Sequence, residues 1–212
     1  MDASEIATDE PDPRAIAAER LTFFADAVIA IAITLLALEL SAPEGRTNRE
    51  VLHSMYLHRD EYISFVISFY VIGFYWAHHH KVFRYVTVLG GRLVFLTLLW
   101  LFLLVLDPFA TRVLSGDGGF QVRFVFYALV QTLAGLVWLL MVAQIQRHGL
   151  YRAATPPDLF KNAYFGTGGL AAGFLLSIPF AFFLSDYAYD LWIVVPIGTA
   201  LVRRLFFSGS PA

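Results

Sequence analysis

Residues 19–40 read Glu-Arg-Leu-Thr-Phe-Phe-Ala-Asp-Ala-Val-Ile-Ala-Ile-Ala-Ile-Thr-Leu-Leu-Ala-Leu-Glu-Leu. A helix of ~20 apolar residues crosses the hydrocarbon core of a bilayer, and this run is that long. Yet it carries Arg20 and Asp26 in its first third. A charge at membrane depth costs about 2.5–3.5 kcal/mol on insertion scales, so such residues face a bundle interior or water. Beyond Asp26 the run turns apolar, with small residues and Thr34 between the branched ones. This helix must therefore find partners for its charges, which a simple anchor has no need to do.

The rest of the chain is of the same kind. It is 58% hydrophobic and 15% charged, with a mean hydropathy of +0.64, whereas soluble domains carry about 25% charged residues. The expected class is an all-α integral membrane protein embedded in the lipid bilayer. Lys plus Arg is 15 against 17 Asp plus Glu, so no basic excess points to a nucleic-acid partner. Without cysteine there is no disulfide framework, thiolate metal site or thiol nucleophile. Asp2, Glu5, Asp9, Glu10 and Asp12 precede the first arginine, whereas a secretory signal needs a positive start and an apolar run. Residues 1–17 read as a polar cytosolic tail, and residues 18–212 as one transmembrane domain.

Apolar runs predict six spans, near 20–40, 61–80, 92–113, 122–145, 163–184 and 188–207. The third is the clearest, since Thr97 is the lone polar residue between Leu93 and Leu106. The fifth is rich in small residues (Gly166, Gly168, Gly169, Ala171, Ala172, Gly173), which let membrane helices approach closely. The fourth is wetter, with Gln131, Thr132 and Gln144. The sixth holds Pro196 and Gly198, tolerated where neighbours satisfy the freed backbone groups. With the N-terminus inside, the inner segments hold Arg14, Arg20, Lys81, Arg84, Arg92, Arg147, Arg152, Lys161, Arg203 and Arg204. The outer ones hold Arg46, Arg49, Arg59, Arg112 and Arg123, giving ten against five. The positive-inside rule then places both termini in the cytosol.

At ~100° per residue, Ala27, Thr34, Leu35 and Leu38 share a face with Ile31, while Asp26 lies about 140° away. Such a stripe is compatible with packing or lipid contact. Its sharper reading is a pore wall, in which rings of Ile and Leu gate by dewetting. Arg20 and Asp26 sit about 120° apart around the helix and are not natural partners, so each needs a partner from another helix. Together they form either a structural polar clamp or a site of direct ion contact or proton relay.

The second informative stretch is Phe74-Tyr75-Trp76-Ala77-His78-His79-His80-Lys81-Val82-Phe83-Arg84. Adjacent histidines point ~100° apart, so at most two share a face. Metal sites take ligands at i and i+4 or from several elements, and no His-Glu-x-x-His or supporting carboxylate is near. No metal site is expected. The aromatic residues with Lys81 and Arg84 suit an interfacial belt. This end lies on the same side as Asp26, which makes a histidine here a candidate hydrogen-bond partner for it.

Arg20-Leu-Thr-Phe-Phe24-Ala25-Asp26, followed by the apolar run to Leu40, resembles the first-helix signature of the lysosomal and bacterial potassium channels of the transmembrane-protein-175 type. That signature is an arginine, three variable residues, then Phe-Ser-Asp. Tyr75-Trp76-Ala77-His78-His79-His80 resembles the family's Trp-plus-paired-His element, and Asp107-Pro108-Phe109 its Pro-Phe element. The motifs cover about half the chain. The resemblance implies a homotetramer of six-helix subunits whose first helices line a central pore for monovalent cations, potassium preferred. It puts the hydrophobic constriction at Ile31, with Leu35 and Leu38 further out, Ala27 on the same lining face and Thr34 at a position linked to potassium preference. Arg20, Asp26 and His78 or His79 form the polar network behind the pore. The chain departs from the pattern at Ala25, where a serine is usual, and at Gly91-Arg92, where an asparagine is usual. A second Arg-x-x-x-Phe-x-Asp is missing, so pore symmetry has to come from oligomerisation.

No cofactor beyond the permeant ions is implied, and the plasma membrane of a bacterium is the expected location. A secondary transporter of cations or protons is the alternative function, although residues 1–106 and 107–212 show no convincing repeat of the kind transporters use. An enzyme is not expected, since no nucleophile–base spacing links the histidines with Asp26, Asp107 or Asp186.

Overall fold

The computed structural model describes residues 13–184 and 187–207, with side chains described to residue 202. Most of the acidic N-terminal tail, Asp186 and the side chains of Arg203 and Arg204 thus lie outside the described residues. The described residues are largely helical: α1 Pro13–Leu38, α2 Asn48–Leu57, α3 Arg59–Phe83, α4 Gly91–Ser115, α5 Phe120–Arg147, α6 Leu159–Phe183 and α7 Leu191–Phe207.

Helices occupy each of the six expected stretches. Among the described residues α1, α4, α5 and α6 are long and apolar enough to cross a membrane, and α7 adds a shorter apolar stretch, Leu191–Val202. α3 matches them at 25 residues but is charged at both ends, with Asp60 and Glu61 in its first turn and Lys81 in its last. α1 starts earlier than its apolar run suggests. Pro13 is pre-organised for the first helical position, and Arg14 to Glu19 are mostly strong helix formers.

The sequence reading gave no helix between the first two spans, yet α2 is there. Its cue is short and polar. Thr47 caps it by accepting from the Glu50 N–H at 3.3 Å, and Glu50 Oε2 accepts from the Arg46 N–H at 2.7 Å. These two bonds satisfy N–H groups that a helix start otherwise leaves bare.

α2 lies in the connection between α1 and α3, and the segment just past α1 meets the first turn of α3, where the Ser41 N–H donates to Glu61 at 3.1 Å. α1 packs on α3 and α4, α4 on α5, α5 on α6, and α6 on both α7 and α3. At one end the loops after α3 and α5 meet in a short antiparallel bridge between Val86 and Tyr151. There the Thr87 N–H donates to Leu150 O and the Arg152 N–H to Tyr85 O, both at 3.0 Å. The first turns of α1 lie beside this bridge. At the other end Arg112 of α4 pairs with Glu39, just past α1, at 3.0 Å.

The core is aromatic, with Trp100, Trp138, Tyr75, Tyr127, Phe124 and Phe174 all fully buried. The small residues of α6 bring it close to α7: a Cβ at Gly169 would collide with Thr199, and one at Gly173 would lie 2.9 Å from the Leu191 carbonyl. Packing at this distance is what holds helices together where lipid removes the hydrophobic drive.

Candidate functional site

α1 divides into two faces. Ala18, Ala25, Ile29, Ala32 and Leu36 are buried against α3 and α4, at a spacing of seven, four, three and four that follows the 3.6-residue turn. The opposite face is open. Ile31 is 59% exposed, Leu35 38% and Leu38 78%, and Ala27 and Thr34 are exposed beside them. The structure therefore keeps together, on the uncovered side of α1, Ile31 and the four residues that the helical period groups with it. The Thr34 hydroxyl donates to the Ile31 carbonyl at 2.8 Å. Its proton is thus tied to the helix, and its oxygen lone pairs face outward among apolar neighbours.

Behind this face sits a polar contact between α1 and α3. Asp26 Oδ1 accepts from Trp76 Nε1 at 3.1 Å, and His79 Nδ1 lies 4.0 Å from the same oxygen. The second distance exceeds hydrogen-bond length. His79 is fully buried and stacks between Phe83 and Trp100, with ring centroids 4.1 and 5.2 Å away. Packing thus fixes the imidazole in place beside the carboxylate.

The three histidines diverge as a 100° step requires. His78 Nδ1 donates to the Phe74 carbonyl at 2.9 Å, and its Nε2 rests where a Cβ on Gly166 would stand, 2.6 Å away. It faces α6 and stays apart from Asp26. His80 is exposed and stacks on Trp76 at 5.7 Å. Arg20 is exposed too, and among the described residues no ion pair joins it to Asp26 or to a histidine. Of the residues assigned to the polar network, the structure joins Asp26 with His79 and leaves Arg20 and His78 elsewhere. The helical period accounts for both. Arg20 is turned about 120° from Asp26, and His78 is turned 100° from His79.

Trp76 is the partner that reasoning from charge alone overlooked. An indole N–H is a donor only, and three residues before His79 it shares that residue's helix face. Ala25 is fully buried, so a serine hydroxyl in its place would point into the subunit interior and not into a vestibule.

A second polar group lies deeper, across α3, α4 and α5. Asp107 is buried and accepts from Gln131 Nε2 at 2.5 Å. The Tyr75 hydroxyl donates to the Gln131 carbonyl at 3.0 Å. Ser68 Oγ lies 2.9 Å from the Tyr127 hydroxyl and 2.7 Å from Thr111 Oγ1. Thr111 Oγ1 is also 2.8 Å from the Asp107 carbonyl, one turn past Pro108, where the ring removes a backbone donor. The signal for this group was the isolated polar residues within apolar runs. Spacing alone did not show that they converge.

The sequence pattern described as "Endosomal/lysosomal potassium channel TMEM175" matches residues 20–108. A potassium channel of Streptomyces collinus is 32% identical over 170 residues, covering 77% of this chain and 82% of that protein. One from a Chryseobacterium species is 37% identical over 93 residues, 44% of this chain and 46% of its own. Among solved structures, a lysosomal potassium-selective channel TMEM175 homolog from Chamaesiphon minutus superimposes with a TM-score of 0.71 at 25% identity, over 88% of this chain and 98% of that one. The potassium channel MtTMEM175, bound to a nanobody fusion, shares the fold with a TM-score of 0.61 at 21% identity, over 86% and 92% of the two chains.

Proposed function

Given that this chain belongs to the endosomal/lysosomal potassium channel family TMEM175, we propose that four copies surround a pore lined by their α1 helices. The protein is an integral membrane potassium channel. The observation that carries the pore assignment is the uncovered face of α1, on which Ala27, Ile31, Thr34, Leu35 and Leu38 stand together. A single subunit with one such helix encloses no path, so this reading needs a cyclic oligomer, and the family resemblance supports four copies.

In this reading α3 and α7 also span, giving six crossings with both termini in the cytosol. The relatives come from bacteria, in keeping with a plasma-membrane location. Residues 18–212 form the channel domain behind a short cytosolic tail. Ile31 forms the narrowest ring. Four isoleucines offer no oxygen to replace an ion's water, so a tight ring dewets and closes the path. Opening requires the α1 helices to move or rotate until the ring is wide enough to stay wet. Thr34 supplies oxygens next to the constriction and tunes the preference for potassium. Asp26, held by Trp76 and beside His79, anchors α1 to α3 so that the lining face keeps its direction.

The test is reconstitution into liposomes with an outward potassium gradient, repeated with sodium. Passive potassium flux exceeding sodium flux supports the reading. Uptake that depends on a second ion's gradient would instead mean a secondary transporter. A conducting monomer would remove the tetramer.

A further inference from the structure

On the flank away from α1, a cavity of about 350 Å³ lies between α3, α6 and α7. No residue of α1 lines it, so it stands apart from the proposed pore. Lys81 and Leu159 are at its mouth, in the last turn of α3 and the first turn of α6. Phe74 lines its deep end. Seven residues separate Phe74 from Lys81, about 10 Å along the helix axis. The cavity therefore begins at the end of the bundle and runs toward the middle of the membrane.

Its chemistry changes along that length. Among the described residues Lys81 is the charged one that lines the cavity, and neither Asp nor Glu does. Lys81 is exposed, and no hydrogen bond or ion pair among the described residues engages it. Deeper in, the walls are apolar, with Phe74, Ala163 and Pro196. His78 is committed to the Phe74 carbonyl and rests against Gly166. The Thr199 hydroxyl is committed to the Pro196 carbonyl at 2.8 Å. A cation at headgroup level above an apolar slot is how a flexible lysine meets a membrane interface, and such cations attract anionic lipids. The volume falls within the range of small-ligand sites. A soluble anion would satisfy the lysine and leave the apolar slot empty.

We propose that this cavity holds the headgroup end of an anionic phospholipid, its phosphate on Lys81 and its first acyl carbons against Phe74, Ala163 and Pro196. The proposal rests on the protein being embedded in a membrane. It does not depend on which helix lines the pore.

Native mass spectrometry of the detergent-purified oligomer tests it, with phosphatidylglycerol and phosphatidylcholine of identical acyl chains added in turn. The expected result is one phosphatidylglycerol retained per subunit under conditions that strip phosphatidylcholine. Lys81→Gln should weaken that retention about fivefold, the worth of one cation at an anionic surface. Ala200 also lines the cavity, and Ala200→Trp, which places an indole there, should abolish retention while oligomer mass and potassium flux persist. Glycerol 1-phosphate in excess should not compete. Equal retention of the two lipids, or unchanged retention in Lys81→Gln, overturns the proposal. Competition by glycerol 1-phosphate would make this a site for free phosphate and also overturn it. If Ala200→Trp splits the oligomer, a neighbouring copy fills the cavity and the lipid assignment fails. Each of these results leaves the flux assay of the channel itself unaffected as a separate test.

Discussion

Replacing Ile31 by asparagine keeps similar bulk at the proposed constriction and makes it wettable. Full burial of an isoleucine side chain is worth about 1.5–3 kcal/mol, and 59% of Ile31 is exposed in the subunit. Four copies would then turn about 3.5–7 kcal/mol of apolar surface toward the axis. If a third of that acts as a barrier to wetting, it amounts to about 1–2 kcal/mol, roughly a tenfold change in the hydrated population at 1.4 kcal/mol per factor of ten. Ile31→Asn should therefore raise cation flux from liposomes about tenfold and lower the ratio of potassium to sodium flux. Ile31 takes no part in the buried face of α1, so the elution of the proposed tetramer in size exclusion should not change. The reasoning fails if flux stays at the wild-type level while Phe102→Asn, on the 61%-exposed position of α4, opens the path.

Thr34→Ala should weaken discrimination of potassium over sodium without abolishing flux, read from the ratio of the two ion fluxes. Asp26→Asn or Trp76→Phe should cost up to about 1.5–3 kcal/mol, the range for a hydrogen bond to a charged group. The loss should appear as reduced tetramer yield and melting temperature ahead of any change in selectivity, and a normal fold with a large selectivity change would place Asp26 in direct contact with ions. Gln131→Leu removes the donor that reaches Asp107 and leaves a buried carboxylate oxygen without it, again at about 1–3 kcal/mol. Thermal unfolding in detergent should show that drop, and an unchanged midpoint would mean the pair contributes nothing. Gly169→Leu should disrupt the subunit by forcing α6 off Thr199, seen as aggregation on purification.

The helical class and the uncovered face of α1 were legible because both are periodic. Apolar length marks a membrane helix, and 100° per residue puts Ile31, Leu35 and Leu38 on one side whatever surrounds them. Three things were less legible, for a common reason. α2 depends on a capping pattern of four residues, Thr47 to Glu50, too local to register against apolar runs five times its length. The partner of Asp26 depends on how far α3 is rotated against α1, and one residue of rotation decides between His78 and His79. The Asp107 group needs three helices to converge, and no single-helix pattern encodes that. Sequence periodicity reports which face a residue is on, and pairing additionally requires the register between helices.

An uncovered apolar face is weak evidence for a pore when the surroundings are lipid, because lipid is as apolar as leucine and covers such faces at no cost. The composition of the uncovered face separates the two cases. On α4 the exposed positions are bulky: Phe95, Leu98, Phe102, Val105 and Phe109. On α1 the exposed positions between Ala27 and Leu38 include Ala27, Ala30, Thr34 and Ala37 among the larger Ile31, Leu35 and Leu38. Small residues and a threonine gain little from lipid contact, yet they allow helices to come close and leave a narrow axial space. α1 is also the least buried of the four apolar helices, although Asp26 and Trp76 tie it firmly to α3. A helix held so specifically on one side, and so sparingly covered on the other by small and alternating large residues, has the shape expected of one whose remaining neighbours are copies of itself.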